Sequence, residues 1–250
     1  MDVAIRGDRA GCLTMQLAEH TWLFAVAAGF GRIDGQPSAP AALARVRSEG
    51  ERRVRGERFR RAIDRPAAAS NALLSILARV NADLFVRSAA HADYITAGCS
   101  MTAVLVVRGR GYVVHAGGTA AYLAHGGSVR ALTADDSFED VPRPLLARAL
   151  GTSPNLDVCV SNFALQPGDV VVLVAHRLQG DIDRERLIAH VERAAANEHL
   201  LVVRFDDTDR EGRGAPAILQ GRPPLAVTRW LIRCAATLAT LALASTGWLR

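Results

Sequence analysis

Apolar and polar positions along the chain follow two periods. Runs rich in β-branched residues at 102–107, 112–116, 121–124, 129–132, 158–165 and 170–175 are bounded by glycine, proline and charge, and they predict strands. Residues 102–107 and 112–116, joined by Arg108-Gly109-Arg110-Gly111, predict a hairpin, as do 121–124 and 129–132 across a His-Gly-Gly-Ser turn. A third hairpin is expected between 158–165 and 170–175, around Pro167-Gly168-Asp169. The helical period dominates elsewhere: at 40–46 and onward to 63, and at 67–88, where Leu73, Leu74, Leu77, Val80 and Leu84 share a face. A last helix is predicted over 182–195, with Leu187, Ile188 and Val191 on one side and Asp181 as its N-cap. Hairpins set between long helices suit an α+β fold, an α-β-β-α sandwich of two antiparallel sheets flanked by helices.

The pattern changes after residue 205. A Gly-, Pro- and charge-rich stretch over 206–227 predicts a linker, and 228–249 predicts a transmembrane helix. Twenty helical residues rise about 30 Å, the thickness of a hydrocarbon core. Trp230 and Trp248 stand near the two ends, where interfacial indoles are favoured, and Arg233 can snorkel from one turn inside. Arg222 and Arg229 on the near flank predict an inner-membrane, single-pass protein with the 1–205 domain in the cytoplasm. The alternative is a core or dimer-interface helix in a cytoplasmic protein.

Composition narrows the class. With 250 residues, 50% of them hydrophobic, the chain can bury the core of one domain. The start lacks a secretory apolar region. Cys12, Cys99, Cys159 and Cys234 are far apart, which predicts reduced, mostly buried thiols rather than a zinc site or a disulfide frame. Every one of the 30 basic side chains counted as Lys or Arg is Arg, the bias of a GC-rich genome. The basic balance is therefore no argument for nucleic acid, and none is expected as a partner. The densest charge run, 45–65, holds nine Arg against Glu49, Glu51, Glu57 and Asp64. It predicts a solvated helix face laced with i,i+4 ion pairs, the alternative being a basic docking face.

Candidate chemistry comes from ordered motifs. An apolar strand runs into Ala27-Ala28-Gly29-Phe30-Gly31-Arg32; Gly98-Cys99-Ser100 leads into the 102–107 strand; 111–137 reads as strand, Gly117-Gly118-Thr119-Ala120, Tyr122-Leu123, then Leu132-Thr133 and Asp135-Asp136-Ser137. Arg148-Ala149-Leu150-Gly151, the Leu165 to Leu178 segment and the 196–204 segment follow in order. Together they resemble the type 2C (PPM-type) serine/threonine protein phosphatases over about residues 5–205.

The resemblance implies the fold of that family and a loss of its chemistry. Family members hydrolyse phosphomonoesters with two Mg²⁺ or Mn²⁺ ions held by carboxylates. Ala28 stands at the bridging aspartate, Gly118 at the aspartate of Gly-Asp-Ser-Arg, Ala120 at its arginine, Asp136 at a histidine, His176 and Arg177 at an Asp-Gly pair, and Ala196 at the last metal-binding aspartate. Only Asp8, within Arg6-Gly7-Asp8, can match an N-terminal ligand. Hard cations need oxygen ligands, which alanine does not offer. The segment 137–148 is also shorter than the family's, so a surface flap is expected to be missing.

The expectation is a membrane-tethered pseudophosphatase with no catalytic residue, no resident metal and no cofactor, binding a protein partner, phosphorylated or not. Its vestigial cleft comprises Asp8, Ala28, Gly29, Arg32, His176, Arg177 and Ala196, where the cations could take a phosphate directly. The alternative is a divergent but active serine/threonine phosphatase. It would hold Mn or Mg through Asp8, the Gly29 carbonyl and His176, with Asp34 nearby. A third reading is an architectural membrane subunit.

Overall fold

The computed structural model describes residues 2–6, 11–54, 56, 63, 65–90, 97–134, 136–138, 145–194, 199–205 and 217–219. Fifteen strands occur among them: β1 (Asp2–Arg6), β2 (Cys12–Ala18), β3 (Thr21–Phe30), β4 (Arg32–Ile33), β5 (Gln36–Pro37), β6 (Gly98–Val107), β7 (Arg110–Ala116), β8 (Ala120–His125), β9 (Ser128–Ala131), β10 (Ser137–Phe138), β11 (Leu145–Leu146), β12 (Cys159–Ala164), β13 (Val170–Val174), β14 (Leu200–Arg204) and β15 (Ala217–Leu219). The helices are α1 (Ser38–Val54), α2 (Pro66–Ala89) and α3 (Arg184–Arg193).

The strands form a five-stranded sheet, ordered β12-β7-β6-β3-β2, and a six-stranded sheet, ordered β15-β1-β14-β13-β8-β9. Three apolar cores hold them. Phe24, Val26, Val104 and Val106 of the first sheet meet Leu123, Val171, Leu173, Leu201 and Val203 of the second. The first sheet's opposite face, through Leu23, Ala25, Ala103 and Leu105, packs on Leu43 and Val46 of α1 and on Leu73, Leu77, Val80 and Leu84 of α2. Leu187 and Val191 of α3 cover Tyr122, Val172 and Val202 on the second sheet. Burial on both faces explains why β6 and β13 read as continuous apolar runs rather than alternating ones.

The helices begin where local chemistry allows. Pro40 falls in the first turn of α1, whose N–H groups have no intrahelical partner anyway. Pro66 opens α2, and Arg65 before it is extended (φ −83°, ψ 128°), as a residue preceding proline prefers. The Asp34-Gly35 pair between β4 and β5 has φ of 49° and 76°, and Arg108-Gly109 between β6 and β7 has 45° and 75°. Both are two-residue turns with positive φ at each position, the geometry that suits strand twist.

The structure corrects four expectations. The first helix, expected to run on to 63, ends at Val54, and Gly56 and Ile63 are not helical. The third predicted hairpin does not form: β12 pairs with β7 in one sheet, whereas β13 pairs with β8 and β14 in the other. Residues 165–169 therefore cross between sheets, with Gly168 N donating to Phe205 O (2.7 Å) and Phe205 N to Asp169 O (2.9 Å). A turn signal marks a reversal but does not say which sheet receives the next strand. The α3 cap is Asp183, whose carboxylate accepts from Arg186 N at 2.8 Å, while Asp181 contributes its backbone carbonyl to Arg186 Nη1 at 3.1 Å. Lastly, the six-stranded sheet is not wholly antiparallel. β15, inside the stretch read as a linker, runs parallel to β1.

No helix among the described residues is long and apolar enough to cross a membrane. The predicted 228–249 helix lies outside them, as do 195–198 and the start of the shortened 137–148 segment's interior, 139–144.

Candidate functional site

The substituted motif positions converge at one end of the sandwich. Ala28, near the end of β3, lies opposite Ser100 of β6. Ser100 Oγ accepts a hydrogen bond from Gly118 N (2.9 Å), and Gly118 O accepts one from Arg177 N (3.0 Å). A continuous path thus joins β3, β6, the β7–β8 corner and the end of β13. Gly117 makes that corner possible: its φ is +88°, and a Cβ there would stand 2.3 Å from Ser100 Oγ and 2.9 Å from Arg148 O. Gly29 is needed for another reason, since its Cβ would meet Ser38 Oγ at 2.4 Å and Ala39 N at 2.6 Å. Ser38, at the start of α1, donates toward Phe30 O (2.8 Å) and Gly98 O (2.7 Å), fixing the helix to both strands.

The cations at this end have protein partners. Arg177 donates through Nη2 to Thr133 O (2.6 Å) and Thr133 Oγ1 (3.1 Å). Arg32 folds back on its own turn, with Nε 2.9 Å from Gly35 O and Nη2 on the same carbonyl. Asp34 is engaged by Arg87, 53 residues on, at 2.7 Å. His176 is exposed. Of the predicted cleft, the structure joins Ala28 and Arg177 through Ser100 and Gly118, places Gly29 beside Ala28 and His176 beside Arg177, and sets Arg32 on the adjoining β4–β5 turn. Asp8 and Ala196 lie outside the described residues.

A buried polar network underlies the corner, and its pairings could not be read from sequence. Asp136, 4% exposed, accepts from Gly117 N at 3.1 Å and pairs with Arg148 Nη1 at 2.5 Å. Arg148 also reaches Cys159 Sγ (3.0 Å) and, through Nε, Asp157 (3.1 Å). The Asp157 hydrogen bond, then the charges of Asp136 and Cys159, raise the guanidinium pKa further above its ordinary value. His115 lies 3.6 Å from Asp136 through Nε2, while its Nδ1 is 2.9 Å from Thr102 Oγ1, which in turn meets Thr119 Oγ1 at 2.7 Å. The only sequence signal was that Asp136 and Arg148 both belong to ordered motifs.

The donor set among the described residues does not fit a pair of hard divalent cations. Ala28 and Gly118 offer no side-chain oxygen, and both Asp136 oxygens are engaged, by Arg148 and by Gly117 N. Among the described residues no three His, Cys, Asp or Glu side chains are grouped to hold a metal.

No protein-family profile and no curated protein sequence matches the chain. Solved structures do. The Mycobacterium tuberculosis serine/threonine phosphatase PstP/Ppp superposes with TM-score 0.59 and 17% identity, over 82% of this chain and 98% of its own. Stp1, a serine/threonine phosphatase from Staphylococcus aureus, gives 0.63 and 12%, over 82% and 94%. The chain has the fold of the bacterial serine/threonine phosphatases. A third structure with this phosphatase fold is PppA, described as a key regulatory component of T6SS in Pseudomonas aeruginosa, with TM-score 0.56 and 18% identity over 78% of this chain and 90% of its own. On this phosphatase fold, Ala28, Gly118 and Arg177 occupy one end of the sandwich, where β3, β6 and the β7–β8 corner meet.

Proposed function

We propose that this protein is a PPM-type pseudophosphatase, a four-layer α-β-β-α domain that binds a protein partner without hydrolysing phosphate and is tethered to the membrane by residues 228–249. One observation carries the reading: the path Ala28, Ser100, Gly118, Arg177 crosses the end of the sandwich with no carboxylate on it. Metal-assisted phosphoryl transfer needs acids there to hold cations that activate water and neutralise the phosphoryl oxygens. The glycines that shape the corner remain, so the surface persists without the donors. A regulatory role through protein contacts has support in the likeness to PppA. The stretch from Trp230 to Leu249, with a tryptophan near each end and Arg233 its one charge, supports the tether.

The test is phosphate release from p-nitrophenyl phosphate and a phosphoserine peptide by the full chain in detergent, with Mn²⁺ or Mg²⁺ added, together with metal content after dialysis. The expected result is release no faster than the buffer blank and no retained metal. Mn²⁺-dependent release that Asp8→Ala abolishes would sink this reading and establish the active one. Recovery of the full chain in the soluble fraction without detergent would remove the tether alone.

A further inference from the structure

The outer face of the α1–α2 pair carries a ladder of charge that is balanced at one end and not at the other. It begins at Asp34, which accepts from Arg87 Nε at 2.7 Å; Arg87 Nη1 then donates to Asp83 at 3.1 Å. Asp83 lies 3.8 Å from Arg45 Nε, and Arg45 Nη2 reaches Glu49 at 3.1 Å. Up to this point each cation sits between two acids. Beyond it, Arg52 of α1 and Arg79 of α2 (Nε, 3.7 Å) both converge on Glu49, with Arg53 beside them. Five guanidinium groups (Arg45, Arg52, Arg53, Arg79, Arg87) thus face three carboxylates (Asp34, Asp83, Glu49), an excess of two positive charges, gathered where the ladder ends.

Among the described residues that end is short of an anion. Glu49, 3% exposed, already serves three arginines, while Arg52 and Arg79 remain 54% and 53% exposed. Arg53 Nε is buried with no hydrogen-bond partner among the described residues. Burial, then repulsion from Arg79 and Arg52, holds its pKa below the ordinary arginine value, with Glu49 opposing; it stays charged at neutral pH.

We propose that the Arg52, Arg53 and Arg79 end of this face binds the phosphate group of a phosphorylated polypeptide. A phosphomonoester carries about −1.5 to −2 charges near neutral pH, which matches the excess, and guanidinium groups bind its oxygens in bidentate pairs. A lipid surface fits less well. The exposed large apolar side chains among the described residues are Phe30, Val86 and Val160, and of these only Val86, two turns along α2 from Arg79, lies on α1 or α2. The Arg52, Arg53 and Arg79 end lies on the helix layer, at the opposite end of the ladder from Asp34 and the β4–β5 turn, so it stands or falls independently of the pseudophosphatase reading.

Calorimetric titration of the full chain in neutral detergent, with a phosphoserine peptide and its unphosphorylated twin, tests it. Saturable binding of the phosphorylated peptide alone is expected. Arg52→Gln combined with Arg79→Gln should weaken it by about tenfold or more, and Arg47→Gln, an exposed α1 residue outside the ladder, should leave it unchanged. Should the double variant fail to fold, Arg53→Gln, which breaks no ion pair with Glu49, still has to weaken binding several-fold. Equal affinity for both peptides, no binding, or indifference to these variants overturns the proposal. So does a result in which the variants lose only retention on phosphatidylserine vesicles, which would assign the face to membrane.

Discussion

Asp136 has its two oxygens turned toward Arg148, Gly117 and His115, inside a corner that a side chain at 117 would block. Arg148 is its closest cation, and Arg148→Ala leaves a carboxylate that is 4% exposed without that countercharge. The expected loss is about 3 kcal/mol in a denaturant melt, because removing one partner strands a buried charge. A loss under about 0.5 kcal/mol would mean that water enters the corner. Cys99 responds to burial alone, which pushes its thiol up to about 12. At pH 8 iodoacetamide should therefore leave Cys99 unmodified in the folded chain and label it on unfolding. Because folding raises this pKa from about 9, the associated stability is intact below pH 9 and is lost as pH climbs toward 12.

At the scale of elements, α3 offers a discrimination between two aspartates. Asp183 accepts from Arg186 N, so Asp183→Ala should destabilise by about 1 kcal/mol. Asp181→Ala should cost less than half of that, since only its backbone oxygen is used. Equal effects in thermal melts would show that the cap is not fixed at one residue. The sequence could not separate the two because either aspartate fits the rule for a helix start. The same kind of ambiguity hid the sheet change at 165–169. The period that marks β12 and β13 as strands is local, whereas their partners, β7 on one side and β8 and β14 on the other, are chosen by which face each residue buries. Helix α2 was legible almost to its ends, since Leu73, Leu77, Val80 and Leu84 form one buried stripe. The ladder between α1 and α2 was half legible. Arg45 and Glu49 are a visible i,i+4 pair, but burial of Glu49 and its contact with Arg79 depend on the second helix.

For the whole molecule, three apolar cores hold helices and sheets together. The motif alignment was legible because glycine corners and strand runs persist where acids do not; what the sequence could not supply was the Ser100 hydroxyl that receives Gly118 N and the Arg177 N to Gly118 O bond that completes the path from Ala28. This predicts the fate of an acid put back at the vacated place. Ala28→Asp inserts a carboxylate at a half-buried position packed against the inter-sheet core. A charge there without a partner should cost about 1–3 kcal/mol, lowering Tm by roughly 2–4 °C per kcal/mol. If the pseudophosphatase reading holds, millimolar Mn²⁺ will not restore Tm, because one carboxylate beside Gly118 cannot hold two cations. Metal that binds only the folded state must raise Tm in proportion to RT ln(1 + [Mn²⁺]/Kd). A Mn²⁺-dependent recovery in Ala28→Asp would therefore show that residues elsewhere in the chain complete a metal site, and would sink the reading that the vacated place cannot hold a cation.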